Sequence, residues 1–497
     1  MKNQVQLITY VDRLGGGGLR ELHGLLTGPL AGLFGGVHLL PFYHAIDGAD
    51  AGFDPIDHNR VDPRLGDWSD VRTLSRDVPV MADLIVNHIS ADSPQFRDFS
   101  ERGDASPYAG LFLTEERVFP HGMTGEDLRR IYRPRPGPPF TATTLRNGET
   151  RRLWTTFTPQ QIDIDVRHSQ GAAYLASILE TFHAAGISMI RLDAAGYAVK
   201  EPGTSCFMVP ATYEFIDALA TQARSLGLET LVEIHCHHEE QCAIARRVDR
   251  VYDFALPPLI LHALFEGDAR HLLHWLRTSP RNAITVLDTH DGIGVRDVGA
   301  DGQGRPGLLP PEAIDALVEG IHVRSRGESR QATGAAASNL DLYQVNCTYY
   351  DALGRDDLAY LIARAIQFFA PGIPQVYYTG LLAGRNDIAL LERTQVGRDI
   401  NRHHYTPAEI EIELARPVVQ ALLALIRFRN RHPAFQGEFE LGASAEHELR
   451  LVWRNGAQST MLEVDFATRA AFVQHTTPEG AIIRFAIDPA LRGATVG

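Results

Sequence analysis

The chain has 497 residues, more than one hydrophobic core ordinarily organises, so a large domain with smaller ones attached is expected. The formal net charge of -14 excludes a general nucleic-acid binder, which needs a basic face to displace phosphate counterions, but leaves room for a local basic pocket. The four cysteines, Cys206, Cys236, Cys242 and Cys347, are too sparse for a disulfide scaffold, which points to reduced thiols in a cytoplasmic protein.

The first apolar run, residues 5–11, contains Gln6 and Thr9 and ends at Asp12-Arg13, too short and too polar for a secretory signal. No stretch approaches the ~18 apolar residues a membrane helix needs. Short apolar runs at 6–11, 37–42, 80–87, 188–193, 230–235, 250–255, 283–289 and 375–379 read as strands. They are continuously apolar rather than alternating, as in a parallel sheet covered on both faces. Helix-like segments separate them. In 171–185, Tyr174, Leu175, Ile178, Leu179 and Phe182 recur at helical spacing, with Glu180 and His183 between. Repeated βα units of this number predict an α/β fold closed as a (β/α)8 TIM barrel.

Two connections are too long for plain βα loops and read as lid insertions, at 89–166 and 292–357. The barrel is then expected in three parts, 1–88, 167–291 and 358–434. Residues 435–497 alternate in a β-like way around Leu449, Leu451 and Trp453, predicting a small C-terminal β domain.

In such a barrel the chemistry sits at the C-terminal strand ends. The third run closes on Asp83-Leu84-Ile85-Val86-Asn87-His88 and the fourth on Arg191-Leu192-Asp193-Ala194. The fifth closes on Glu233-Ile234-His235 and the seventh on Asp288-Thr289-His290-Asp291. Salt bridges at strand ends could explain any one of these, but four in register point to a site. Two carboxylates flanking one bond suit glycosidic chemistry, with one ionised to attack carbon and one holding a proton for the leaving oxygen. Arg191 lies two residues before Asp193, so both face one side and the guanidinium is expected to keep Asp193 ionised. Glu233 has no adjacent Arg or Lys, as suits the proton-holding acid.

These four segments resemble the α-amylase clan, glycoside hydrolase family 13. Further segments resemble the sucrose phosphorylase family within it: the opening residues 1–14, 47–58, Ile131-Tyr132-Arg133-Pro134-Arg135-Pro136-Gly137, 288–294, 339–346 and Gly397-Arg398-Asp399-Ile400-Asn401-Arg402-His403. The resemblance runs to about residue 435. It implies a retaining hexosyl transfer with Asp193 as nucleophile, Glu233 as general acid/base and Asp291 as transition-state stabiliser. It implies that His88, Arg191 and His290 contact the sugar beside the cleaved bond. Asp50 and Arg398 would hold the far hydroxyls, and Phe53 would stack on the ring. Arg135, Leu340, Asp341, Tyr343 and Gln344 match loops that meet fructose and phosphate in turn. Tyr132, Tyr197 and His235 complete the expected contacts.

The substrates implied are sucrose and inorganic phosphate, with no nucleic acid or membrane partner; the family allows a homodimer. It also lacks the clan's calcium site, so no metal or cofactor is expected. The carboxyl groups of Asp193 and Glu233 are expected roughly 5–5.5 Å apart. Phosphate needs a cation, for which Arg135 on its proline-stiffened loop is the candidate, with Arg133 as alternative and a solvated loop as the plain reading of both.

His235-Cys236-His237-His238 matches no common zinc spacing, and the four-glycine run 15–18 lacks the Lys-Ser/Thr of a P-loop. Lys200-Glu201 reads either as acceptor contacts or as an ion pair or solvated loop. Asp83 is expected to support Arg191 or His88 rather than touch sugar, and Asp54 and Asp57 to shape a turn. The alternatives kept open are a phosphorylase of sucrose 6′-phosphate or glucosylglycerate, a sucrose hydrolase, and a non-catalytic sugar-binding barrel.

Overall fold

A computed structural model describes residues 1–48, 50–135, 137–302, 304–333 and 344–492. Eight parallel strands close a barrel: β1 Gln6–Thr9, β2 Val37–Leu39, β3 Val80–Ile85, β4 Ile187–Asp193, β5 Glu229–Val232, β6 Arg250–Asp253, β7 Ala283–Thr285 and β8 Ile373–Tyr377. Their order around the barrel is β1-β8-β7-β6-β5-β4-β3-β2, so sequential strands are neighbours throughout. Every residue of β3 and of β8 is buried, which explains their unbroken apolar runs. The polar residues inside are paired: Gln375 Nε2 donates to Gln6 Oε1 at 2.9 Å.

The strands are shorter than the apolar runs suggest. β3 stops at Ile85, β5 at Val232 and β7 at Thr285, and the runs continue as loops that carry the polar residues. β8 ends at Tyr377, and Tyr378–Leu381 is helical rather than extended. The helix expected at 171–185 spans Ser169–Ala184 and buries Leu175, Ile178, Leu179 and Phe182.

The connection after β3 carries the hairpin Phe140–Thr144 and Thr150–Trp154, and Leu113, Val118, Phe119, Ile131, Phe140 and Trp154 form a small core of their own with Cys206. The connection after β7 carries helices Pro311–Arg324 and Glu328–Thr333. The helix Pro417–Arg431 packs on the helix Asp357–Phe369. Beyond it lies a five-stranded antiparallel meander from Glu438–Leu441 to Ile482–Ala486, tied to the barrel by Trp453 Nε1 donating to the Phe369 carbonyl at 2.8 Å. No described helix is long and apolar enough to cross a membrane.

Candidate active site

The site is assembled outward from Arg191. On β4 its register partner is Asp83 of β3, and Arg191 Nη1 donates to Asp83 Oδ1 at 2.6 Å. Nη1 also donates to Asp193 Oδ1 at 2.7 Å, while Nη2 lies 3.9 Å from Glu233 Oε1. One buried guanidinium therefore touches both carboxylates expected to do the chemistry. Asp83 makes a second contact, to His38 of β2 at 2.9 Å, so the sequence expectation that it supports Arg191 holds.

Backbone geometry fixes Glu233. The residue after Asp193, Ala194, sits in the left-handed region at φ 55°, which is uncommon for a residue other than glycine. Its N–H donates to Glu233 Oε2 at 3.2 Å. Glu233 N–H in turn donates to the Leu192 carbonyl at 3.2 Å, carrying the β4–β5 pairing one step past the end of β5.

Two electrostatic expectations need correction. Glu233 is not isolated from cations, because Arg191 and His235 Nε2, at 3.6 Å, both approach it. Nor does Arg191 alone decide the state of Asp193. Burial pushes the Asp193 carboxyl well above the usual range, Arg191 pulls it down, and Glu233 and Asp83 push it up again.

The long loop after β7 is held from several sides. Asp288 is buried against Arg364 at 2.7 Å. Asn401 Nδ2 donates to the Asp291 carbonyl at 2.7 Å, and Arg402 Nε to the His290 carbonyl at 2.9 Å. Arg398, on the same short turn Gly397–Asn401, pairs with Asp291 Oδ1 at 2.8 Å and reaches Asp50 Oδ1 at 3.6 Å. Burial alone would raise Asp291, but Arg398, His290, Arg191 and Arg402 outweigh it and hold the carboxyl far below the ordinary range. The same competition lowers Asp50, where Arg135, Arg398 and Arg402 overcome burial.

Every candidate catalytic and substrate residue within the described part lines one cavity: Asp50, Phe53, His88, Tyr132, Arg135, Arg191, Asp193, Tyr197, Glu233, His235, His290, Asp291, Gln344 and Arg398. Leu340, Asp341 and Tyr343 lie outside the described residues. Phe53 stacks on His290, with ring centres 4.7 Å apart. Arg135 donates to Asp50 Oδ2 at 3.1 Å, so its partner here is the carboxylate expected for Arg398. Arg133 does not line the cavity and donates to the Thr155 carbonyl. Lys200 is a buried ion-pair partner of Asp163 at 2.5 Å rather than an acceptor contact. Among the described residues no group of three or more His, Cys, Asp or Glu side chains could hold a metal ion.

The sequence reading missed Phe157, Gln161, Phe207 and Arg296, which also line the cavity. All sit on insertions or on the loop after β4, away from any barrel strand end. Arg296 lies over the Tyr132 ring at 4.6 Å and donates to its hydroxyl. Gln161 lies 3.1 Å from His88 Nε2, which pairs at 2.9 Å with the Phe53 carbonyl.

Asp83 also affects stability. Burial would raise its carboxyl, but His38 and Arg191 bring it down to about 2. A carboxyl depressed on folding stabilises the protein above its unfolded pKa of about 3.9 and loses that contribution as pH falls. Roughly 2 kcal/mol is expected to disappear between about pH 4 and pH 2. Acid unfolding of Asp83→Asn should be flatter over that window than that of the unaltered protein; identical profiles would contradict the assignment.

The closed barrel and its carboxylates at the end of β4 and just past β5 and β7 define an enzyme of the α-amylase clan, and the profile described as the alpha amylase catalytic domain matches residues 33–247. The chain is 63% identical to a sucrose phosphorylase of Agrobacterium vitis, over 95% of this chain and 97% of that one. It is 53% identical to a sucrose phosphorylase of Bifidobacterium adolescentis, over 96% and 95%. A crystal structure of sucrose 6F-phosphate phosphorylase from Thermoanaerobacter thermosaccharolyticum superposes with a TM-score of 0.90 at 39% identity, covering 98% of each chain. The chain belongs to the sucrose phosphorylase family.

Proposed function

We propose that the protein transfers the glucosyl unit of sucrose to inorganic phosphate, giving α-D-glucose 1-phosphate and fructose with retention of configuration. The observation that carries this reading is the single guanidinium of Arg191 contacting Asp193 and Glu233 together, with Asp291 on the same cavity wall. The identity to sucrose phosphorylases supports the choice of substrates.

In the first half-reaction the Asp193 carboxylate attacks the anomeric carbon. The bond to the fructosyl oxygen breaks as Glu233 gives that oxygen its proton, leaving a β-glucosyl ester on Asp193. In the second, a phosphate oxygen attacks the same carbon, the ester bond breaks, and the ionised Glu233 takes the proton when the attacking oxygen carries one. Two inversions give net retention. Asp291, kept ionised by Arg398, favours the positive charge that develops on the ring in each transition state. Asp50 and Arg398 close the glucose end and hold its far hydroxyls. Arg135 reaches the same end from the lid through Asp50 and is the forked cation suited to phosphate.

The test is product analysis with sucrose, with and without phosphate. Glucose 1-phosphate and fructose formed together, and only with phosphate, are expected. Free glucose dominating at high phosphate would make the protein a hydrolase. No reaction with sucrose, but turnover of another α-glucoside, would place the error in the acceptor loops.

A further inference from the structure

The loop after β7 continues into a short helical turn, Arg296–Val298, next to the catalytic cavity. Arg296 faces the cavity, while Asp297 points beneath its wall and is fully buried. Asp297 Oδ2 lies 2.9 Å from His235 Nδ1, and its Oδ1 accepts from Gln241 Nε2 at 3.2 Å. Gly294 makes room for this approach, since a Cβ there would stand 3.1 Å from Asp297 Oδ2. The His235 ring is also stacked on Phe254, with ring centres 4.0 Å apart.

The other ring nitrogen of His235 faces the chemistry. Nε2 is 3.6 Å from Glu233 Oε1 and 3.4 Å from Gln344 Nε2. His235 is thus fixed on one side by a buried carboxylate and open on the other to the acceptor side of the cavity.

We propose that Asp297 is a positioning residue that holds His235 as an oriented cation beside Glu233, and that this cation makes phosphate rather than water the preferred acceptor. The inference rests on the proposed phosphorolysis. A phosphate that approaches the glucosyl ester on Asp193 meets two carboxylates, Glu233 and Asp291, and an imidazolium between Glu233 and Gln344 supplies positive charge on the side from which it must attack. The charged groups facing His235 support that state. Burial opposes the charge, but Asp297 foremost, then Glu233 from the same loop and Asp291 from the loop after β7, raise the imidazole to about 9. Gln344 at Nε2 and Phe254 stacked on the ring add no charge, and neither does Gln241, which donates to Asp297.

Asp297→Asn keeps the shape and removes the buried charge. Its KM for phosphate should rise about tenfold, the size of one weakened charge-assisted contact, while the single-turnover burst of fructose released from sucrose as the glucosyl-enzyme forms stays within about twofold in rate. The ratio of glucose to glucose 1-phosphate should rise, and the alkaline limb of the phosphate-dependent rate should move to lower pH. An unchanged KM for phosphate, or an equal loss in both half-reactions, would overturn the proposal. A second measurement needs no altered fold. The His235 ring resonances of the unaltered protein, assigned by their loss in His235→Gln, should titrate near pH 9; a midpoint near the ordinary ~6.5 would also overturn it. Were the protein to make no glucose 1-phosphate at all, the proposed function would fail while the titration still decided the state of the pair.

Discussion

Asp193→Asn is expected to lose at least about 10⁴-fold in kcat/KM on sucrose, and Glu233→Gln roughly 10²–10⁴-fold, but the two variants should part company on a donor that needs no proton. Asp193 forms the covalent bond, so its loss cannot be offset by a better leaving group. Glu233 matters in the first half-reaction only because the fructosyl oxygen is a poor leaving group unless protonated. With α-glucosyl fluoride as donor, Glu233→Gln should release fluoride at close to the unaltered rate in its first turnover, while Asp193→Asn stays inactive. Single-turnover fluoride release makes the distinction. Equal impairment of both variants on the fluoride would remove the acid/base role from Glu233. Neither substitution should disturb the fold, because Asp193 ends β4 and Glu233 follows β5 at the cavity, and each keeps a hydrogen-bonding side chain. Circular dichroism of both variants checks that point.

The barrel was legible because parallel strands buried on both faces leave a signal that survives without alignment, an apolar run followed by a polar tip. The same signal misplaces the strand ends. An apolar residue such as Val286 or Leu287 is as buried in a loop over the barrel mouth as in a strand, so the run at 283–289 continues past the last barrel hydrogen bonds at Thr285. Asp193 could be read by position because strand and motif end together. The state of its proton could not, because it depends on Glu233 and Asp83 arriving from other strands. Arg296 and Asp297 carried no strand-end or spacing signal, and their meaning comes from His235 being 62 residues away in sequence and 2.9 Å away in space. Ala194 shows the same limit. Nothing in the residue type announces a left-handed turn, yet that turn aims the N–H that fixes Glu233.

Arg364→Met should be the most damaging change outside the cavity. Arg364 is fully buried, and its guanidinium donates to both oxygens of Asp288, to the Tyr360 hydroxyl and to Gln367 Oε1. Removing it leaves the Asp288 carboxylate buried beneath the loop that carries His290 and Asp291, without its cation. Breaking a buried pair from one side costs about 3–5 kcal/mol, whereas replacing both partners by groups of similar shape is often close to neutral. Arg364→Met should therefore unfold at markedly lower denaturant than the unaltered protein, and Arg364→Met with Asp288→Asn should recover much of the difference. Activity discriminates further. The double variant still lacks the tether from Asp288 to the helix Asp357–Phe369, so it should regain stability before it regains kcat, because Asp291 depends on that loop being held within a few tenths of an ångström. Chemical denaturation followed by tryptophan fluorescence, set beside initial rates on sucrose, separates the two effects. Recovery of kcat in step with stability would mean that the clamp from Asn401 and Arg402 is sufficient to place Asp291, and that the buried pair serves the fold alone.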